Sequence, residues 1–293
     1  MPRFGPVLTA MVTPFDDDGR VDLDGAAELA RTLVEDGNDG LVLTGTTGEA
    51  SVLTDDEQVD VWRAVRAAVD VPLVAGSGTN DTRHAAELTA RAAGAGMDGV
   101  LVVTPYYNRP SQAGIEAHFR RVAAATELPV ILYDIPVRTG RKIATDTLLR
   151  LAWEVPNVIG VKDAAGDPAA SARLLRDAPD DFELYSGDDS LTLPLLAVGA
   201  VGVIGVATHW CAREMGEMIA AFARGEVTRA RTLNRAMLDS FAFETGDDTP
   251  NPIPAKAMMR ALGRPAGQCR LPLGPAPEGL EDSALDVYRR LRG

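Results

Sequence analysis

Lysine is nearly missing from this chain. Only Lys142, Lys162 and Lys256 occur in 293 residues, and apart from three histidines every other basic side chain is arginine. Arginine stays protonated in proteins, whereas a desolvated lysine can lose its proton and act as a nucleophile. Cysteine is scarcer still. Cys211 and Cys269 make neither a disulfide framework nor a zinc spacing, and they read as reduced thiols. No apolar run reaches the ~18 residues of a membrane span. The start, Met1 to Pro6, lacks a charged segment followed by a signal-type apolar stretch, so the chain reads as cytoplasmic. Positive charge is also short. The 29 Lys+Arg against 42 Asp+Glu leave a net charge of −13, which excludes the basic footprint of a nucleic-acid binder. Arginine in place of lysine, with this acidity, fits either coding bias or a salty cytoplasm.

What is present is apolar material, 46% of residues, arranged as alternating strand-like and helix-like stretches. Strands are expected at Val7–Val12, Gly40–Thr44, Pro72–Ala75, Gly99–Val103, Pro129–Tyr133, around Val158–Lys162, Phe182–Ser186 and Gly202–Val206. Ala26, Leu29, Ala30, Leu33 and Val34 recur on one helical face. Thr54-Asp55-Asp56-Glu57 is a capping box. Further helices are expected near 81–95, 111–126, 145–154, 167–177, 190–198 and 212–224. Eight βα units predict an α/β fold, a closed (β/α)8 barrel of the TIM type over 1–225, with its site at the C-terminal strand ends. An open doubly wound sheet ranks lower, because no G-x-G-x-x-G follows the first strand. After Gly225 no strand candidate follows and prolines break the pattern, so 226–293 reads as a C-terminal helical extension.

The strand ends carry the chemistry. Lys162 ends the sixth strand, as a Schiff-base candidate or as a lysine that snorkels to solvent. Gly45-Thr46-Thr47-Gly48-Glu49 follows strand two; it can aim N–H groups and hydroxyls at a carboxylate, or serve as a plain Gly-rich turn. Tyr106 and Tyr107 sit between Pro105 and Pro110, as a rigid exposed loop or an interface pair. Tyr133 and Arg138 lie five residues apart after strand five, and arginine suits two-point grip on a carboxylate. A surface arginine beside a core tyrosine is the plainer reading. Asp188 and Asp189 follow strand seven and read as a helix cap rather than a metal site. His84, His118 and His209 fall outside these turns, so neither a metal nor a histidine base is expected.

In register, these turns resemble the dihydrodipicolinate synthase family, also called 4-hydroxy-tetrahydrodipicolinate synthase. The motifs are Gly-Thr-Thr-Gly-Glu at 45–49, Thr-Pro-Tyr-Tyr-Asn at 104–108, Tyr-Asp-Ile-Pro-Val-Arg-Thr-Gly at 133–140 and Gly-Val-Lys-Asp at 160–163. Ser-Gly-Asp-Asp at 186–189, Gly-Val-Ile at 202–204 and Asn-Pro-Ile-Pro-Ala-Lys at 251–256 extend the match over nearly the whole chain. The superfamily also holds N-acetylneuraminate lyase and sugar-acid aldolases. The resemblance implies a cofactor-free class I aldolase of lysine and diaminopimelate biosynthesis, condensing pyruvate with L-aspartate 4-semialdehyde. Carried over, Lys162 is the imine-forming lysine, and Thr46 and Thr47 hold the pyruvate carboxylate. Tyr133, Thr47 and Tyr107 form a proton relay, with Tyr107 supplied by a neighbouring subunit of a homotetramer. Arg138 binds the semialdehyde carboxylate, and Ile204 offers its backbone carbonyl. Asp134 stands where many members have Asn, and Gly205 where many have Ser, which bears on substrate choice. A lyase of 2-keto-3-deoxy sugar acids is the alternative activity, and a non-catalytic barrel the alternative class. His84 replaces the acid that meets lysine in feedback-inhibited members, and Asp55 and Gln58 stand where sensitive members carry histidines. Feedback by lysine is therefore expected to be weak or absent.

Overall fold

The computed structural model describes residues 2–293; Met1, the first residue of the segment read as lacking a signal pattern, lies outside them. Eight strands form a closed barrel: β1 (Val7–Ala10), β2 (Gly40–Leu43), β3 (Leu73–Gly76), β4 (Gly99–Val103), β5 (Val130–Asp134), β6 (Val158–Asp163), β7 (Glu183–Ser186) and β8 (Gly202–Gly205). All neighbours pair parallel, and β8 closes onto β1. The strands are buried on both faces, which is why they read as unbroken apolar runs rather than as alternation. Alternation survives in where the side chains go. On β5, Ile131 and Tyr133 pack into the barrel interior with Leu8, Val42, Val74 and Ile204, whereas Val130 and Leu132 pack outward against the helices. Phe4 closes the N-terminal end; a β-carbon at Gly99 would lie 2.6 Å from its ring.

The first four barrel helices are Leu23–Glu35, Asp55–Arg66, Thr82–Gly94 and Gln112–Ala123. The expected capping box forms, with Glu57 N donating to Thr54 Oγ1 and Thr54 N to Glu57 Oε2. Trp62 is fully buried in the stripe of that helix, and its indole N–H donates to Thr44 Oγ1 at 2.7 Å. Two expectations shift. The stretch 190–198 is a 3-10 turn, Asp189–Leu191, followed by the short helix Thr192–Leu196. The last barrel helix spans Thr208–Ala223, starting before Ala212, with a kink at the non-helical Cys211.

The C-terminal segment holds the helices Val227–Phe243, Ile253–Ala261 and Leu280–Arg292. Val227–Phe243 packs on Thr208–Ala223, and Trp210 donates to Ser240 Oγ at 3.0 Å. The stretch 244–256 reaches back over the strand ends, where Asn251 meets Thr47 and Lys256 meets Glu49. Among the described residues no helix is long and apolar enough to cross a membrane.

Candidate active site

Lys162 is the penultimate residue of β6, between Tyr133 of β5 and Tyr185 of β7. The alternation of the strand turns its side chain into the barrel, and only 4% of it is exposed. Its Nζ lies 4.5 Å from the Tyr133 ring centroid. Gly187 leaves room for the stem, since a β-carbon there would lie 3.0 Å from Lys162 Cγ. Burial pulls the ammonium down to about 8; Asp189 and Glu244 oppose that, and the Arg138 guanidinium adds to it. The snorkelling alternative is thereby excluded: this lysine does not reach solvent.

Tyr133 is equally buried. Desolvation pushes its phenol up to about 12, against the pull of Arg138 and a hydrogen bond with Thr46. The hydroxyl that meets Tyr133 is thus that of Thr46, not Thr47 as the expected relay had it. Thr47 instead accepts from Asn251 Nδ2 at 2.9 Å. The turn that presents both threonines is tightly held. Thr44 and Glu49 take positive φ values of 49° and 58°, and a β-carbon at Gly48 would lie 2.9 Å from Thr44 Cα. Thr13 Oγ1 donates to the Gly48 carbonyl at 2.7 Å. Beyond the turn, Glu49 accepts from Arg270 N at 2.9 Å and pairs with the fully buried Lys256 at 2.6 Å.

Arg138 sits on the single helical turn Pro136–Thr139 and donates to the Asn251 carbonyl at 3.1 Å. Asn251 therefore bridges the Thr47 hydroxyl and the Arg138 guanidinium. Ile204 faces the barrel interior from β8. Thr46, Tyr133, Arg138 and Asn251 line a cavity of about 420 Å³ together with Ser51, Asn80, His84 and Tyr106. Lys162 is not on the wall itself; the Tyr133 ring beside it is.

Tyr107 is not brought to this cavity within the chain. It is 90% exposed with a φ of +71°, on a loop anchored by Asn108 Nδ2 donating to the Asn80 carbonyl. Tyr106 points the other way and is half-buried.

Asp134 and Gly205 act otherwise than expected from their places in the sequence. The period of two that turns Tyr133 inward turns Asp134 outward, where it accepts from Ile143 N at 3.1 Å and pairs with Lys142. Burial raises that carboxyl to about 6. Gly205 makes space: a β-carbon would press on Asp189, with Cγ at 3.0 Å. Asp188 caps the short turn by accepting from Ser190 N, as read from the sequence, but Asp189 does not. It is buried with Glu244 on the β8 turn.

The histidines are engaged in holding the frame. His209 accepts from Val12 N and donates from Nδ1 to the Val206 carbonyl, and burial lowers it to about 4. His118 shares a hydrogen bond with Thr82 and is lowered likewise. His84 lies 2.7 Å from Asp55 Oδ1. Among the described residues no three His, Cys, Asp or Glu side chains are grouped to hold a metal ion.

Sequence reasoning assigned no role to Asn251, Lys256 or Glu244, and read Asp189 only as a helix cap. The first two lay in a quoted motif, which was the available signal. Glu244 had none, since its partner is far away in sequence.

The sequence matches the Dihydrodipicolinate synthetase family over residues 3–287. It is 56% identical to the 4-hydroxy-tetrahydrodipicolinate synthase of Acidothermus cellulolyticus over 292 residues, covering 99% of this chain and 91% of that one. It is 50% identical to the enzyme of the same name from Moorella thermoacetica, over 92% of each chain. Among solved structures it superimposes on a dihydrodipicolinate synthase of Bacillus anthracis with a TM-score of 0.94 at 41% identity, over 99% of both chains. The synthase of Cyanidioschyzon merolae, solved with lysine bound, gives a TM-score of 0.96 at 42% identity, covering 100% of this chain and 99% of that one. With the closed barrel and the buried lysine at its mouth, these similarities establish that the chain belongs to the dihydrodipicolinate synthase family.

Proposed function

We propose that the barrel mouth condenses pyruvate with L-aspartate 4-semialdehyde to 4-hydroxy-tetrahydrodipicolinate, through an imine on Lys162. The observation that carries this is the amine of Lys162, desolvated beside a phenol and held near 8. At pH 8 about half of such an amine is neutral, against roughly 0.3% for an ordinary lysine. The neutral amine adds to the pyruvate ketone, and loss of water leaves the imine. A proton then leaves the methyl carbon to give an enamine, whose carbon attacks the aldehyde. The amino group of the second substrate closes the ring by displacing Lys162, which restores the free enzyme.

Thr46 and Thr47 hold the pyruvate carboxylate. Tyr133 and Thr46 pass protons, and a partner subunit's copy of Tyr107 extends the relay to solvent. Arg138 receives the semialdehyde carboxylate with the N–H groups that Asn251 leaves free. Ile204 offers its backbone carbonyl beside the bound pyruvate. No cofactor takes part in this scheme. A cytoplasmic homotetramer fits it, because both cysteines are free thiols and Tyr107 stands outside its own site.

Borohydride reduction in the presence of pyruvate should add one pyruvate-derived mass to the peptide bearing Lys162. Finding it on Lys142 or Lys256 would overturn the assignment. Both are already paired, with Asp134 and Glu49 respectively.

A further inference from the structure

The scheme above leaves two buried carboxyls near Lys162 without a role. Asp189 comes from the turn after β7, and Glu244 from the end of the helix Val227–Phe243. Their carboxyls hydrogen-bond each other, and they are 1% and 8% exposed. Each is also held by a backbone amide: Val206 N donates to Asp189 Oδ2 at 2.8 Å, and Ala207 N to Glu244 Oε2 at 3.0 Å. Those amides are consecutive and lead into the single turn Thr208–Trp210 that precedes the kink at Cys211. The pair fits only because position 205 carries no side chain.

Two carboxyls in hydrogen-bond contact in a dry interior share a proton, so together they carry one negative charge. The charges around them are few. Lys162 is the cation that acts on Asp189, and Arg138 acts on that lysine in the opposite sense to the pair. Asp188 adds negative charge from the surface. Cys211 faces the pair from the following helix, and burial and the pair keep it protonated; Glu214 and Arg292 act on that thiol in opposite directions.

We propose that the Asp189–Glu244 pair is a positioning group whose single buried charge balances the cation formed when Lys162 condenses with pyruvate. This rests on the imine reading of Lys162. In that step the neutral amine and the ketone take up one proton and release water, leaving a C=N bond whose nitrogen keeps its hydrogen and a positive charge. Solvent cannot stabilise that charge at a lysine so deeply buried. The pair does so from a fixed place, with no reorganisation as the charge appears. The same charge holds the free ammonium above the value that burial alone would give. Gly205 is thus a specificity feature of the pair: a serine or alanine there would push Asp189 off its amide.

The test is the pH profile of pyruvate trapping by borohydride. Asp189→Asn with Glu244→Gln keeps the shapes and lets each amide oxygen go on accepting from Val206 N or Ala207 N, but removes the charge and gives up the shared proton between the two groups. The rising limb, set by Lys162 near 8, should move down by about one pH unit, because no carboxylate now favours the ammonium. Trapping at saturating pyruvate should fall about tenfold above that limb. A folded double variant whose limb stays near 8 would show the pair to be structural and overturn the inference, leaving the imine reading intact. If the wild-type protein traps no pyruvate on Lys162, both fail together. Should the double variant not fold, Asp189→Asn with Glu244→Leu is measured in its place, with the same expected shift.

Discussion

Replacing Lys256 with methionine should damage the enzyme although Lys256 makes no contact with the proposed reaction. Its ammonium is fully buried, 2.6 Å from Glu49 Oε1, 3.1 Å from the Gln268 carbonyl and 3.9 Å from the Phe15 ring centroid. Burial lowers its pKa, and the attraction of Glu49 offsets that only in part. Such a pair adds little net stability, yet removing one member leaves a buried charge with no partner, which costs about 3–5 kcal/mol. Unfolding entropy of about 2.1 cal/mol/K per residue gives roughly 0.6 kcal/mol/K for a chain of this length. Lys256→Met should therefore melt about 5–8 °C below wild type. Glu49 sits just past Thr46 and Thr47, so pyruvate trapping should weaken as well. Adding Glu49→Gln removes the stranded charge and should recover most of the lost stability. Thermal unfolding followed by circular dichroism measures all three. A Lys256→Met protein melting within about 1 °C of wild type, or a double variant as unstable as the two singles summed, would refute the argument.

Arg138→Ala should raise KM for the semialdehyde about ten- to a hundredfold, the worth of a charge-assisted hydrogen bond of about 1.5–3 kcal/mol; steady-state kinetics should show pyruvate much less affected. Tyr107→Phe and Lys162→Ala proteins, each inactive alone, should regain some activity when mixed and reassembled, and a fully active monomer would contradict a shared site. Lysine should inhibit weakly or not at all, because His84 is held against Asp55 and leaves no acid free for an ammonium; initial rates showing strong submillimolar inhibition would overturn this. The folded-state values of His118 and His209 lie near 4, below the ordinary 6.5, so both enter the core neutral. Their contribution is complete above about pH 6.5 and is lost as pH falls towards 4, so His118→Gln should flatten that part of a stability–pH curve.

The barrel was legible because parallel strands buried on both faces leave apolar runs, and each helix carries a stripe at 3.6 spacing. The capping box at Thr54 was readable for the same local reason. The start of the last barrel helix was not: Cys211 breaks the helix after its first turn, so regular periodicity begins only at Ala212. Lys162 and Tyr133 were readable from their places near the C-terminal ends of strands, and Arg138 from the turn that follows β5. Which hydroxyl met Tyr133 was not, because adjacent threonines differ only in rotamer and in the partner that a distant Asn251 supplies. Asp189 passed for a cap because its neighbour Asp188 is one, and nothing local announces the approach of Glu244.

The reach of residues 244–256 over the strand ends also sets an order in time. A ribosome has made all eight strands well before it reaches Asn251 and Lys256, so a nascent barrel can close while Thr47 and Glu49 still lack their partners. Competence comes late in synthesis. A chain interrupted after the barrel would have its lysine in place and no finished mouth around it, so partial products would not release a stray reactive amine with full activity.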